Sequence, residues 1–170
     1  MKKIPLTQGQ FAIVDDDDYA DLSKFKWYAM WDRRRKVFIA VRRLDLETLA
    51  DAKTDGRSCR RQRTVFMARA ILSPPIGFEV DHANMDTLDN RRSNIRLAQR
   101  RQNLMNRRKW GSACRFKGIF RNGKSFTAII RVKSNRRKSV GTFKTEIEAA
   151  KAYNQAAKQH YGEFARLNPV

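Results

Sequence analysis

Hydrophobic and polar positions fall into short alternating runs rather than long helical stripes. Residues 10–14 and 25–31 are rich in aromatic and β-branched side chains and predict two strands, with Asp15 to Lys24 between them as a short helix or turn. Val37, Ile39 and Val41 alternate with basic or polar residues from Lys36 to Arg42, directly after Asp32-Arg33-Arg34-Arg35. That pattern predicts a hairpin whose basic tip meets phosphate. Residues 45–63 form a polar, arginine-rich loop around Asp55-Gly56, followed by a strand from Thr64 to Ala68. Ala70-Ile71-Leu72 then runs into Ser73-Pro74-Pro75, which stops regular structure. Phe78 to His82 is a strand, Ala83 to Ser93 a polar loop, Asn94 to Ala98 a second strand, and Gln99 to about Lys109 suits a helix.

Past Trp110-Gly111-Ser112 the pattern changes. Residues 117–121, 125–132 and 136–143 alternate as strands, separated by the tight-turn pair Asn122-Gly123 and by Ser134-Asn135. Thr145 stands three residues before Glu148 and caps a helix, and Ile147, Ala150, Tyr153, Ala157 and Tyr161 fall near one of its faces. Ala128, Ile130 and Val132 would face that helix, with Thr127, Ile129 and Arg131 outward; on the third strand Arg137 and Ser139 would point outward as well. The fold class is therefore α+β in two domains. Residues 1–109 hold a region of small strands and then the strand–loop–strand–helix segment, and residues 115–170 hold a three-stranded antiparallel sheet packed on one helix.

Charge changes the picture from fold to partner. Lys and Arg number 37 against 17 Asp and Glu, a net charge of +20, divided evenly between residues 1–109 and 110–170. Such a field gathers polyanions, so nucleic acid is the expected partner of both halves, although a ribosomal or membrane-surface protein can carry the same sign. No run of 18 apolar residues occurs and no signal-peptide core follows Met1-Lys2-Lys3-Ile4-Pro5, so no membrane association is expected and the location is expected to be cytoplasmic. Cys59, Cys114, His82 and His160 are the only cysteines and histidines, and neither cysteine stands in a Cys-x-x-Cys pair. That excludes a zinc finger and leaves any metal to oxygen donors, which favours a hard ion such as magnesium. Cys114 reads as an ordinary thiol and His160 as a packing residue of the last helix.

Asp81 and His82 are adjacent at the end of a strand, so their side chains leave on opposite sides and can serve different tasks. Cutting a phosphodiester needs a base for water and positive charge on the phosphoryl and leaving oxygens. Asp81 offers a metal a charged oxygen and Asn103 a neutral one. His82 offers a neutral base, and Asn94 can clamp the intervening loop by donating and accepting at once. An Asp-His pair alone is more often a turn or a satisfied surface pair; the surrounding spacing decides. Glu79 to Arg107 reads E-V-D-H-A-N-M-D-T-L-D-N-R-R-S-N-I-R-L-A-Q-R-R-Q-N-L-M-N-R and resembles the HNH motif of phage and intron homing endonucleases. The resemblance implies a ββα-metal module at about residues 78–109, with His82 as general base, Asn94 as the middle asparagine, and Asp81 and Asn103 as ligands of Mg2+, with Mn2+ as an alternative. Asn103 stands where other members carry histidine. The preceding Thr64-Val65-Phe66-Met67-Ala68-Arg69 resembles a segment that often reads Met-His-Arg, and this chain has Ala68 in place of that histidine. In the loop, Arg91 and Arg92 are candidates to reach phosphates. Asp86 reads as a turn residue, and the Asp15–Asp18 run as a complement to a helix dipole rather than a metal site.

From Phe116-Lys117-Gly118-Ile119 through Val140-Gly141-Thr142-Phe143 to Gly162-Glu163-Phe164-Ala165-Arg166-Leu167-Asn168, the second half resembles the APETALA2/ERF DNA-binding domain. By matching positions, that resemblance implies DNA contacts from Lys117, Phe120, Arg121, Arg131, Arg137 and Ser139. Ile129 and Ser139 replace the glutamate and tryptophan that many plant members carry on the reading face, so the target sequence does not transfer. The expectation is a metal-dependent endonuclease acting on double-stranded DNA, of the homing type, as a nicking monomer without an obligate protein partner. The alternatives are a DNA-binding regulator with a decayed nuclease module and a binder of structured RNA.

Overall fold

A computed structural model describes residues 1–45, 62–107, 113–132 and 136–170. The arginine-rich loop, Cys59 and the Ser134-Asn135 turn lie outside the described residues. The chain divides into two compact units, Met1–Ala98 and Gln99–Val170. Both mix α and β, with several small sheets.

In the first unit, β1 (Lys2–Pro5) pairs antiparallel with β2 (Phe11–Val14), and α1 (Asp16–Leu22) follows. Strand β1 was not legible in advance, because Lys-Lys-Ile-Pro carries one apolar side chain that β2 alone explains: Ile4 faces Ala12 and both are buried. The second strand expected from residue 25 begins only at Tyr28. Trp27 is held outside it, its Nε1 donating to the carbonyl of Leu22 at 2.8 Å, which ties the end of α1 to the core. Strands β3 (Tyr28–Asp32), β4 (Val37–Asp45) and β5 (Gln62–Phe66) form an antiparallel sheet in that order. The β3–β4 hairpin turns at Asp32, whose Oδ1 accepts the backbone N–H groups of Arg34 at 2.9 Å and Arg35 at 3.1 Å.

The strand expected from Thr64 to Ala68 stops at Phe66, and Met67–Leu72 is helix α2. Met67-Ala68-Arg69-Ala70-Ile71-Leu72 is made of good helix formers apart from Ile71, and winding buries Met67 and Ala68. Ser73 ends the helix in a left-handed conformation with φ 43°, just before Pro74. Strands β6 (Phe78–His82) and β7 (Ile95–Gln99) then pair as a two-stranded sheet.

The second unit opens with α3 (Arg100–Asn106), which the sequence had suggested would belong to a domain ending at 109. Two observations explain its grouping with the C-terminal residues. Met105 packs on the C-terminal core, and the Lys117 ammonium donates to the carbonyls of Met105 and, at 2.9 Å, Arg107. Strands β8 (Ile119–Asn122), β9 (Ser125–Arg131) and β10 (Arg137–Phe143) form an antiparallel sheet with β9 in the centre, and α4 (Glu146–Tyr161) covers one face. Thr145 caps α4 reciprocally with Glu148, an arrangement that contributes about 1 kcal/mol. Ala128 and Ile130 are buried against Ala149, Ala150, Tyr153 and Ala157. Ile147, expected on that face, is 55% exposed, because the buried stripe starts at Ala149 and Ala150. On β10 the register shifts between Ser139 and Gly141, a bulge that absorbs Val140 and leaves Ser139 opposite Ile129 and Thr142 opposite Thr127. The Tyr161 hydroxyl accepts the backbone N–H of Arg131 at 2.8 Å, fastening the end of α4 to β9. Among the described residues no helix is long and apolar enough to cross a membrane.

Candidate active site

Strand β6 delivers Asp81, 5% exposed, and then His82 at its last position. The loop that follows is closed by side-chain amides. Asn94 accepts the backbone N–H of Asn84 at 3.0 Å through Oδ1, and its Nδ2 donates to the carbonyl of Asp89 at 2.7 Å. The backbone N–H of Ala83 also donates to the Asn94 carbonyl at 2.9 Å. One buried side chain therefore holds the start and the end of the loop. Within it, Asp86 Oδ1 accepts the Leu88 N–H at 3.0 Å, as a turn carboxylate does.

The loop is also zipped onto the first hairpin. Ile13 N–H donates to the Leu88 carbonyl and Asn90 N–H to the Ile13 carbonyl, both at 2.8 Å. Asn90 is 1% exposed, and its Oδ1 lies 3.3 Å from His82 Nε2. Burial pushes the His82 imidazole below its ordinary value of 6.5; the bond to Asn90 and the carboxylates of Asp81, Asp86 and Asp89 pull the other way without reversing it. The ring is accordingly neutral at cellular pH, the state a general base requires.

Asp81 is paired with Arg96 of the neighbouring strand, whose Nε and Nη2 approach Oδ2 at 3.0 and 2.8 Å. The guanidinium fixes the plane of the carboxylate and offsets the cost of burying its charge. Asn103 lies in the second unit, on the first turns of α3. As oxygen donors, each of these side chains is of the kind that a hard divalent cation takes in preference to a soft one. Among the described residues no group of three or more His, Cys, Asp or Glu gathers at ligand spacing.

The two loop arginines are engaged within the fold. Arg91 grips Asp89 with Nε and Nη2, each at 2.7 Å, and holds that carboxyl below its ordinary range. Arg92 grips Asp18 with Nε at 2.9 Å and Nη2 at 2.7 Å, while its backbone N–H donates to Asp15 at 2.7 Å. The acidic run of α1 therefore serves as an anchor for the loop. Ala68 is buried in the first turn of α2.

In the second unit Arg137 lies across from Arg131, and Ser139 from Ile129, on the face of the sheet away from α4. Phe120, opposite Thr127, shares that face and is exposed. Arg121 pairs with Phe126 on the other face, and its Nε turns back to the Gly123 carbonyl at 3.1 Å. Lys117 supports α3, and burial, aided by Arg166, lowers its pKa to about 8. Sequence reasoning did not single out Arg96, Asn84 or the bond between Asn90 and His82. A cross-strand arginine opposite a motif carboxylate is a readable signal once the two strands are paired; Asn84 and Asn90 look like any loop asparagine.

Residues 73–105, from the end of α2 into α3, match the family model described as HNH endonuclease. The chain is also similar to the protein named Uncharacterized HNH endonuclease L560 of Acanthamoeba polyphaga mimivirus, 28% identical over 163 residues, covering 96% of this chain and 77% of that protein. No solved structure matches.

Proposed function

We propose that this chain, whose residues 73–105 match an HNH endonuclease model, hydrolyses phosphodiester bonds of duplex DNA with a divalent cation held by Asp81 and Asn103. Magnesium is the simplest choice and manganese would serve. When bound, such an ion supplies positive charge to the phosphoryl and leaving oxygens. His82 takes the proton of the attacking water, Asn94 keeps the loop closed around it, and Arg96 orients Asp81. Water attack of this kind leaves 5′-phosphate and 3′-hydroxyl ends. The observation that carries the reading is a half-buried imidazole, 3.3 Å from the Asn90 amide oxygen and next to a buried carboxylate at one strand end, inside a loop locked by Asn94. One such centre per chain nicks one strand per visit, as a monomer in the cytoplasm, and the motif's likeness favours a homing role.

Supercoiled plasmid tests it. Relaxed circles accumulate with Mg2+ and stop when EDTA is added; no relaxed or linear product with Mg2+ or Mn2+ removes the proposal.

DNA is held, in this reading, by the exposed sheet face of Phe120, Arg131, Arg137 and Ser139, in the manner of an APETALA2/ERF-like domain, with Arg121 at its edge. The β3–β4 tip adds a second grip. Arg33, Arg34 and Lys36 are exposed there without a side-chain partner among the described residues, and the Asp32 carboxylate holds the turn beneath them by two backbone hydrogen bonds. Replacing Arg33 and Arg34 by alanine lowers the slope of log affinity against log salt by about 2, since each lost phosphate contact releases about 0.9 counterion fewer. An unchanged slope for duplex DNA removes the tip from the interface.

A further inference from the structure

We infer that Asn90 is the positioning residue that sets the tautomer of His82, placing the ring proton on Nε2 and leaving the basic lone pair on Nδ1. The orientation of the Asn90 amide is decided by its surroundings. Its Nδ2 donates to the Leu88 carbonyl at 3.2 Å, so the opposite end, Oδ1, faces His82 Nε2 at 3.3 Å. The flipped amide would set Oδ1 against the Leu88 carbonyl, two acceptors facing each other, and would leave a buried N–H without that partner. An amide oxygen has only acceptor capacity, so the imidazole nitrogen that meets it carries the hydrogen. In a neutral imidazole the other nitrogen is then the base.

Asn90 itself has little freedom. It is 1% exposed, its N–H is bonded to the Ile13 carbonyl, and Leu88, which takes its Nδ2, is bonded in turn to Ile13 N–H. The N-terminal hairpin thereby reaches the site through two backbone bonds and one amide, and the ring is aimed by the first strands of the chain. This inference rests on His82 being the base, but its first readout does not.

The test uses 15N-labelled full-length protein above the titration range of imidazole. The chain has two histidines, so a His160→Gln variant assigns the spectrum. The expected result for the unaltered chain is a single His82 tautomer, protonated at Nε2 and unprotonated at Nδ1, with a slowly exchanging Hε2. Asn90→Leu, similar in size but without the acceptor, is expected to give a mixture of tautomers and a kcat about 100-fold lower, with KM for DNA within about twofold. Protonation at Nδ1, or a mixture in the unaltered chain, overturns the inference. So does a folded Asn90→Leu protein with the original tautomer and kcat within about twofold. If that variant does not fold, the tautomer of the unaltered chain decides by itself. If the unaltered chain cuts no DNA, the nuclease mechanism fails while the tautomer assignment is still read.

Discussion

His82→Ala cleaves plasmid at least about 100-fold more slowly than the unaltered chain at pH 7.5, with DNA affinity unchanged. The size follows from the role. Without a base the attacking water keeps its proton until late in the reaction, whereas the charges that hold DNA lie on other residues. The pH dependence has a definite sign. Burial lowers the His82 pKa below 6.5, so the acid limb of kcat/KM falls below 6.5 and the rate is level above it. Stability follows the same proton. Because the folded value is the depressed one, the unfolded chain binds the proton first as pH drops. The His82 contribution is therefore complete above about 6.5 and is lost as pH falls from there through the folded value. Plasmid cleavage and thermal melts from pH 5 to 8 read both. Wild-type cleavage by His82→Ala, or an acid limb above 6.5, sinks the assignment of the base.

Gly118→Ala destabilises the second unit by about 3 kcal/mol. Gly118 has φ +75°, where an L side chain is strained, and a Cβ there would stand 2.2 Å from Tyr153 Cε2 and 2.8 Å from the Ile129 carbonyl oxygen. Backbone strain of about 1 kcal/mol and overpacking of about 2 kcal/mol act together. Neither neighbour can give way easily. Tyr153 is buried in the core, and the Gly118 carbonyl accepts the Ile129 N–H at 2.8 Å, so separating them breaks the start of the sheet. A combined cost of about 3 kcal/mol lowers the melting midpoint of a unit this size by more than about 10 °C. A shift below about 2 °C would mean that Tyr153 relaxes at little cost and that the close approach is not required.

Local chemistry was the readable part of this chain. Thr145-x-x-Glu148 announces a helix start because both halves of the capping box lie three residues apart, and Asn122-Gly123 announces a turn because those residues tolerate positive φ. Alternation in residues 125–132 separates Ala128 and Ile130 from Thr127 and Arg131, as the structure does. Errors fall where tertiary contacts outrank a local pattern. Met67 and Ala68 extend the alternation of β5 but wind into a helix, and burial rewards that choice. The anchoring of the last residues of α3 by Lys117 and the C-terminal core is likewise a tertiary contact that no local pattern announces.

The residue types proposed for the site, an Asp-His pair, a returning strand with Asn94 and a helix with Asn103, stand in the sequence in fixed order, and it is their spacing that suggests the chemistry. What only the tertiary structure decided is which groups those side chains hold. Arg96 lies 15 residues from Asp81, Asp18 74 from Arg92, and Asn90 is tied to a strand at residue 13. A local motif constrains backbone shape, because its interactions span a few bonds. Pairing of charges and orientation of a ring proton depend on surfaces that meet only after the chain has folded back on itself, and no local period encodes that meeting.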